Sequence, residues 1–165
     1  MKLCGFMDAD WAGSPTDKKS TSGGIFSIGS TTVSWYIRKQ RSVALSSKEA
    51  EYMAASLATC EAIWMRKILV GLFGSYLEPT VIYCDNQSCI KLLANLVFHD
   101  RSKHTDIKYH HLRDCVQLRV MLLSYIPTED QDADILMKAL TKRKFEYHRG
   151  RIGVADNQYL VEREC

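Results

Sequence analysis

The sequence is short of several things, and each shortage excludes something. It has three prolines in 165 residues, so no proline-rich linker divides it. No segment repeats itself or collapses into a few residue types. No apolar run approaches the ~20 residues needed to span a bilayer. The N-terminus has no basic stretch followed by an apolar core, so no secretory leader is read. The expected location is intracellular, cytoplasmic or nuclear, and not secreted. The six cysteines, at positions 4, 60, 84, 89, 115 and 165, include no C-x-x-C pair. They are expected to be reduced, with Cys4, Cys60 and Cys84 serving as small hydrophobes inside apolar segments. His99, His104, His110 and His111 crowd one stretch, yet no cysteine has the spacing to complete a zinc site with them. A solvated or nucleic-acid-facing cluster is the expectation. A strong charge bias is also missing. The net charge of +3 tolerates an anionic partner without demonstrating one.

What is present is an ordinary globular composition, 46% hydrophobic and 25% charged, long enough for one domain with a sizeable core. Residues 1–153 are expected to form that domain, and 154–165 a disordered C-terminal tail. Residues 3–8 are an apolar run, expected to be a strand ending at Asp8. The turn-rich "AGSPTDKKSTSGG" follows. "GGIFSIGS" and "TTVSWYIRKQ", separated by Gly29 and Ser30, read as a hairpin. A long helix then opens at a Ser46 or Ser47 cap with Glu49 or Glu51 close behind. Its apolar positions recur at helical spacing from 50 to 72, and Gly71 and Gly74 mark its end. "TVIYCDNQ" is a short buried strand ending at Asp85. "QSCIKLLANL" and "SKHTDIKYHHLRDCVQ" are helices. "VMLLSYIPT" is a strand stopped by Pro127, and "EDQDADILMKALTK" reads as a final helix. The order β-β-β-α-β-α-α-β-α implies an α/β fold, a mixed sheet with helices on its faces.

Carboxylates mark the edge of that sheet. Asp8 and Asp85 each close a buried strand, and ligand sites in open α/β sheets gather at such ends. On the long helix, Glu51 projects roughly 65° from the centre of the apolar face and Glu49 roughly 135°. Glu51 therefore flanks the buried face, and Glu49 points to solvent. A half-buried carboxylate needs compensation, which a helix N-terminus supplies in part and a divalent cation in full. The last helix offers Asp130, Asp132 and Asp134, among which the pattern does not choose. Carboxylates converging from separate elements describe a site for a hard cation such as magnesium. Each acid taken singly reads better as a cap or a surface group, and only the set, in this element order, favours the site.

The segments "DADWAG", "KKSTSGG", "SWYIRKQ", "ALSSKEAEYMAAS", "EAIWMRKIL", "IYCDNQSCIKL", "FHDRSKHTDIKYHHLRD" and "YIPTEDQDADIL" together resemble the ribonuclease H domain at the C-terminal end of Ty1/copia-type retrotransposon Pol polyproteins. The resemblance runs over about residues 5 to 153. It implies a five-stranded mixed sheet flanked by helices on both faces. It also implies endonucleolytic cleavage of the RNA strand of RNA–DNA hybrids during reverse transcription, with two Mg²⁺ ions for which Mn²⁺ can substitute. The products would carry a 5′-phosphate and a 3′-hydroxyl. The family's catalytic, metal-binding acids fall on Asp8, Glu51, Asp85 and Asp134. The first three coincide with positions reached from strand ends and helix phase, whereas Asp134 comes from the resemblance alone. Asp8 would bridge both metals, Glu51 and Asp85 would complete one site, and Asp134 the other. The implied partners are the hybrid and the polymerase domain of the same polyprotein, with no membrane. Lys18, Lys19, Arg38 and Lys39 are candidates for backbone phosphates, each equally readable as a solvated group. Trp11 and Trp35 are expected in the core rather than stacked on nucleic acid.

The chain also departs from the family pattern. Asp132 stands where an apolar residue is usual and projects with Ile135, Leu136 and Ala139, so an unpaired carboxylate there would destabilise the last helix. "DILMKAL" replaces "DILTKPL". Arg119 replaces a turn glycine where a positive φ is expected. These departures keep open an alternative reading, a catalytically inactive remnant that retains the fold and at most binds nucleic acid or a polymerase partner. An integrase or transposase core is a weaker third reading, because such cores typically use three acids at different spacing.

Overall fold

The structure is a computed structural model, and it describes residues 2–74, 77–94 and 103–154. The tail expected over 154–165 lies, apart from Val154, outside the described residues. Five strands, β1 (Leu3–Asp10), β2 (Thr21–Ile28), β3 (Thr31–Lys39), β4 (Thr80–Cys84) and β5 (Met121–Tyr125), form one sheet in the order β3-β2-β1-β4-β5. The first three are an antiparallel meander, and β4 and β5 join in parallel. This is the mixed sheet expected from the element order. Gly29, at φ 62°, makes the tight β2–β3 turn that a side chain would strain.

The long helix α1 (Ser47–Phe73) begins and ends as its sequence dictates. Ser46 is the N-cap, its Oγ accepting from Glu49 N at 3.2 Å. Glu49 Oε2 reaches back to accept from Leu45 N at 2.7 Å, a near-reciprocal cap. Gly74, at φ 61°, closes the helix by donating to Val70 O at 2.8 Å. Gly71 lies within the last turn. The buried stripe of α1 is rich in alanine (Ala50, Ala54, Ala55, Ala58 and Ala62). Such small side chains let the helix lie close on the sheet, where it meets Leu3, Met7, Phe26 and Tyr36. Burying each of the larger of these contributes roughly 1.5–3 kcal/mol relative to exposure. The helices α2 (Gln87–Ala94) and α3 (Lys103–Gln117) pack beside α1.

Strand alternation places Phe6, Asp8, Gly23 and Ile25 on the opposite face. Of two 3₁₀ turns, Thr128–Asp130 and Asp132–Leu136, the second packs on that face against β1 and β2, and α4 (Lys142–Arg151) packs on the second turn. Gly23 matters here, because a Cβ would stand 2.7 Å from Met137 Sδ. Its absence lets the second turn seat on β2.

Several expectations are corrected. "EDQDADILMKALTK" is not one helix but the two 3₁₀ turns. Its polar side chains bond locally instead, as where Gln131 Oε1 accepts from Ala133 N at 3.3 Å, and such bonds compete with helix propagation. The helix α4 follows it unforeseen, because "KRKFEYHRGR" has no apolar stripe and buries only His148. Strand β1 runs two residues past Asp8 and takes in Asp10. Trp11 and Trp35 are not core residues but 49% and 66% exposed. Cys60 faces solvent from α1 rather than packing as a hydrophobe. Arg119 does adopt the anticipated positive φ, 53°. All five cysteines among the described residues are free thiols.

Candidate active site

The parallel strands β1 and β4 point the same way, so residues at their C-terminal ends share one sheet edge. Asp8 and Asp85 meet there. Glu51, in the second turn of α1, swings over the same edge. It is buried, and its Oε1 accepts from Ala9 N at 3.3 Å, as the helix projection anticipated. Asp134 arrives from the second 3₁₀ turn on the other side. That turn is fixed to β1 by Gln131, whose buried Nε2 donates to Met7 O at 2.9 Å.

The four carboxylates are therefore brought together, and their charges constrain one another. Burial, then the charge of Asp8, pushes Glu51 up to about 10. Burial and the proximity of Asp8 push Asp134 up to about 6, despite its partner Lys138. Burial works against ionised Asp8 as well, but hydrogen bonds with Lys138, Asp134 and Glu51 outweigh it and hold the group below the usual carboxylate range. Lys138 Nζ lies 2.7 Å from Asp8 Oδ2 and 2.8 Å from Asp134 Oδ1. Its burial opposes its charge, yet the two carboxylates raise it above the ordinary lysine range. Asp85 is half-buried, and Thr128 Oγ1 donates to its Oδ2 at 2.8 Å.

The arrangement can hold a divalent cation. Ligand atoms of Glu51, Cys84 and Asp85 all lie within 4.8 Å of one another. The cluster gathers more carboxylates than one ammonium can neutralise, so Glu51 is held toward its protonated form, and a cation would displace that proton. The donors that fit are oxygens. The hydrogen-bonded Cys89 thiol and burial push the Cys84 thiol up, so it is not a thiolate donor. This oxygen set suits a hard ion.

Sequence reasoning missed Lys138, Cys84, Gln131 and Thr128. Two of them left a signal. Lys138 stands four residues after Asp134, the spacing of an ion pair, and strand alternation turns Cys84 inward with Thr80 and Ile82. The candidate phosphate ligands sit at the same end of the sheet, because Asp10 pairs with Thr21 and Thr21 with Lys39. Lys18 is exposed and Lys19 half-buried in the β1–β2 loop. Arg38 pairs with Glu61 at 2.7 Å and Lys39 with Asp17 at 2.8 Å. Both are surface ion pairs of the weak kind that a phosphate can replace. His110 and His111 are exposed on α3, while His99 and the side chain of His104 lie outside the described residues.

The comparisons with known proteins bear on the ancestry and the fold of the chain. Across 94% of its length the chain is 38% identical to the retrovirus-related Pol polyprotein from transposon TNT 1-94 of Nicotiana tabacum. The chain is a homologue of Ty1/copia-type Pol polyproteins. This Pol homologue spans only 10–12% of the length of the curated polyproteins it matches. Its fold is that of ribonuclease H. The LC11-RNase H1 isolated from compost superposes with a TM-score of 0.59 at 16% identity, over 82% of this chain and 91% of that one. The same protein in complex with an RNA/DNA hybrid gives 0.53 at 12% identity, over 79% and 88%. No family model matches the chain. No helix among the described residues is long and apolar enough to cross a membrane.

Proposed function

We propose that the chain hydrolyses the RNA strand of RNA–DNA hybrids, as the ribonuclease H module of a retrotransposon Pol polyprotein acting beside its polymerase domain. The observation that carries this reading is the convergence of Asp8, Glu51, Asp85 and Asp134 on one sheet edge of a ribonuclease H fold. Homology to Pol polyproteins and the hybrid complex of the compost enzyme support the choice of substrate.

Asp8, Glu51, Asp85 and Asp134 would hold two Mg²⁺ ions, Asp8 serving both, Glu51 and Asp85 one, and Asp134 the other. Such ions polarise a phosphate and make water more acidic. The chain's own groups prepare the edge. Ala9 N orients Glu51, and Thr128 orients Asp85. Lys138 balances Asp8 and Asp134, and with its side chain 35% exposed it has room to turn toward an incoming phosphate. Lys18, Lys19, Arg38 and Lys39 flank the same edge for the hybrid's backbone.

The test is a labelled RNA–DNA hybrid incubated with the protein and Mg²⁺, or with EDTA, beside an Asp8→Asn variant. The expected result is cleavage of the RNA strand alone, lost with EDTA and with the variant. A folded protein that binds the hybrid and never cuts it would establish the inactive remnant instead.

A further inference from the structure

We propose that Gln131 sets the separation of Asp8 and Asp134, by bridging the strand that carries one acid to the turn that carries the other. This rests on the hybrid-nuclease reading above, in which those two acids share a metal ion. Strand β1 outruns its parallel neighbour. It pairs with β4 at Cys4, Gly5 and Phe6, yet it continues to Asp10. Beyond Phe6 the backbone groups on that side have no ladder partner, and buried groups of this kind need a replacement. Met7 O and Ala9 N, two residues apart, face the same side of the strand. Side chains meet both. Ala9 N donates to Glu51 Oε1 at 3.3 Å, and Gln131 Nε2 donates to Met7 O at 2.9 Å. Asp8 sits between these two joints.

Gln131 also holds the far end of the bridge. Its side-chain Oε1 accepts from Ala133 N at 3.3 Å, and its main-chain O accepts from Asp134 N at 3.1 Å. One residue therefore runs from the backbone just before Asp8 to the backbone of Asp134 itself. The gap it fixes is one that a single cation fills, because Lys138 Nζ reaches Asp8 at 2.7 Å and Asp134 at 2.8 Å. Gln131 is fully buried. A neutral amide suits the place, since it donates with one end and accepts with the other and brings no charge to compete with the carboxylates for a cation. The other fastening of this turn, Asp132 to His148, ties it to α4 and not to the strand that carries Asp8. Gln131 is in these terms a positioning residue. It acts through Asp134 and touches no substrate.

The experiment counts bound Mn²⁺ in the folded, substrate-free protein, from the loss of the free ion's electron paramagnetic resonance signal. Gln131→Met is expected to weaken Mn²⁺ binding roughly ten- to hundred-fold, the range for losing a group that orients a metal ligand. Gln131→Asn, one methylene too short to reach Met7 O, is expected to weaken it in the same way, and stands in where the methionine variant fails to fold. In an Asp134→Asn background the Gln131→Met change is expected to alter binding less than about twofold, because the group it acts through is gone. Leu69→Ala, near the far end of α1, is expected to lower Tm and leave Mn²⁺ binding as in the parent, which separates lost aim from lost stability. With hybrid, Gln131→Met is expected to lower kcat and leave KM within about threefold. Folded Gln131 variants that bind Mn²⁺ like the parent overturn the proposal, whatever their Tm. An equal loss with and without Asp134 also overturns it, by showing that Gln131 does not act through that acid. A parent that binds no Mn²⁺ overturns it together with the metal site. Cleavage is scored separately: a parent that binds Mn²⁺ and never cuts the hybrid loses the nuclease reading, while the ion-binding comparison still decides the role of Gln131.

Discussion

Replacing Asp132 by leucine is the sharpest test of how the fourth carboxylate is positioned. From sequence alone this substitution looks like a repair, since an acid stands where an apolar residue is usual. The structure reverses the expectation. Asp132 is buried as anticipated but not unpaired. Its Oδ1 lies 2.8 Å from His148 Nδ1 and 3.2 Å from Arg151 Nε. His148 is 1% exposed and the only buried residue of α4. Leucine would remove the acceptor and strand the imidazole in an apolar setting. Breaking a buried pair by removing one partner costs roughly 3–5 kcal/mol. Most of that belongs to His148, because the Arg151 side chain is 32% exposed and screened by solvent. In a domain of this size each kcal/mol moves Tm by about 2–4 °C, so thermal melts followed by circular dichroism should show a drop of roughly 6–20 °C. Asp132→Asn keeps an acceptor for His148 and should cost only about 1 kcal/mol. A leucine variant that melts at or above the parent temperature would refute the reasoning, and would mean that the pair costs as much in desolvation as it returns.

Three further outcomes follow from the same geometry. Asp134 and Glu51 are pushed up to about 6 and about 10, above the ordinary carboxylate values of 3.8 and 4.5, so between about pH 4 and 10 the folded state binds more protons than the unfolded one. Their contribution is present at low pH and lost as pH rises through 6 and toward 10. Melts in EDTA should therefore show Tm falling from pH 5 to 8, and Mg²⁺ should flatten the decline. Lys138→Met leaves Asp8 and Asp134 without their cation. Discounted for the lysine's partial exposure, the cost in EDTA should be roughly 1–2 kcal/mol, with a larger Mg²⁺-induced rise in Tm than the parent shows. Arg119→Gly relieves a left-handed backbone and should stabilise the chain by up to about 1 kcal/mol, read as a higher urea midpoint with an unchanged slope.

The parts of the fold that sequence disclosed are those where one period dominates. The sheet strands, the Ser46 cap, the 27-residue helix and the Gly74 stop each follow from local chemistry. The phase of Glu51 was legible because that helix is long enough to define a face. Asp8 and Asp85 were legible because strand ends sit at an edge. The segment from 128 to 151 was not legible, because its structure is set by contacts distant in sequence. Gln131 bonds Met7, Met137 lies against Gly23, and Asp132 meets His148. No periodicity records such pairs. The tryptophans misled for a different reason. Size argued for burial, while the backbone turn at Ala12 and the hydrogen bond to Ala44 decided otherwise for Trp11, and Trp35 lies on the largely exposed strand β3.

The site thus draws on two parts of the molecule that are held in different ways. Asp8, Glu51 and Asp85 ride on the central strands and the longest helix, where backbone ladders and a packed core set their places. Asp134 rides on a 3₁₀ turn that side chains hold down. That difference explains where the departures from the family pattern gather. Asp132 and Met137 lie on the side-chain-held turn, and each comes with a matching partner, the His148–Arg151 pair for one and the bare backbone of Gly23 for the other. A turn held by side chains can exchange one set of matched contacts for another without disturbing the sheet, and under the proposed function the residue that must stay in place through such an exchange is Asp134. An acid in an unexpected position is then part of what aims the fourth carboxylate. Asp132 and Met137, which read in sequence as loosened constraint, are in the fold a substituted set of fastenings, whereas Arg119, outside this turn, only strains its backbone.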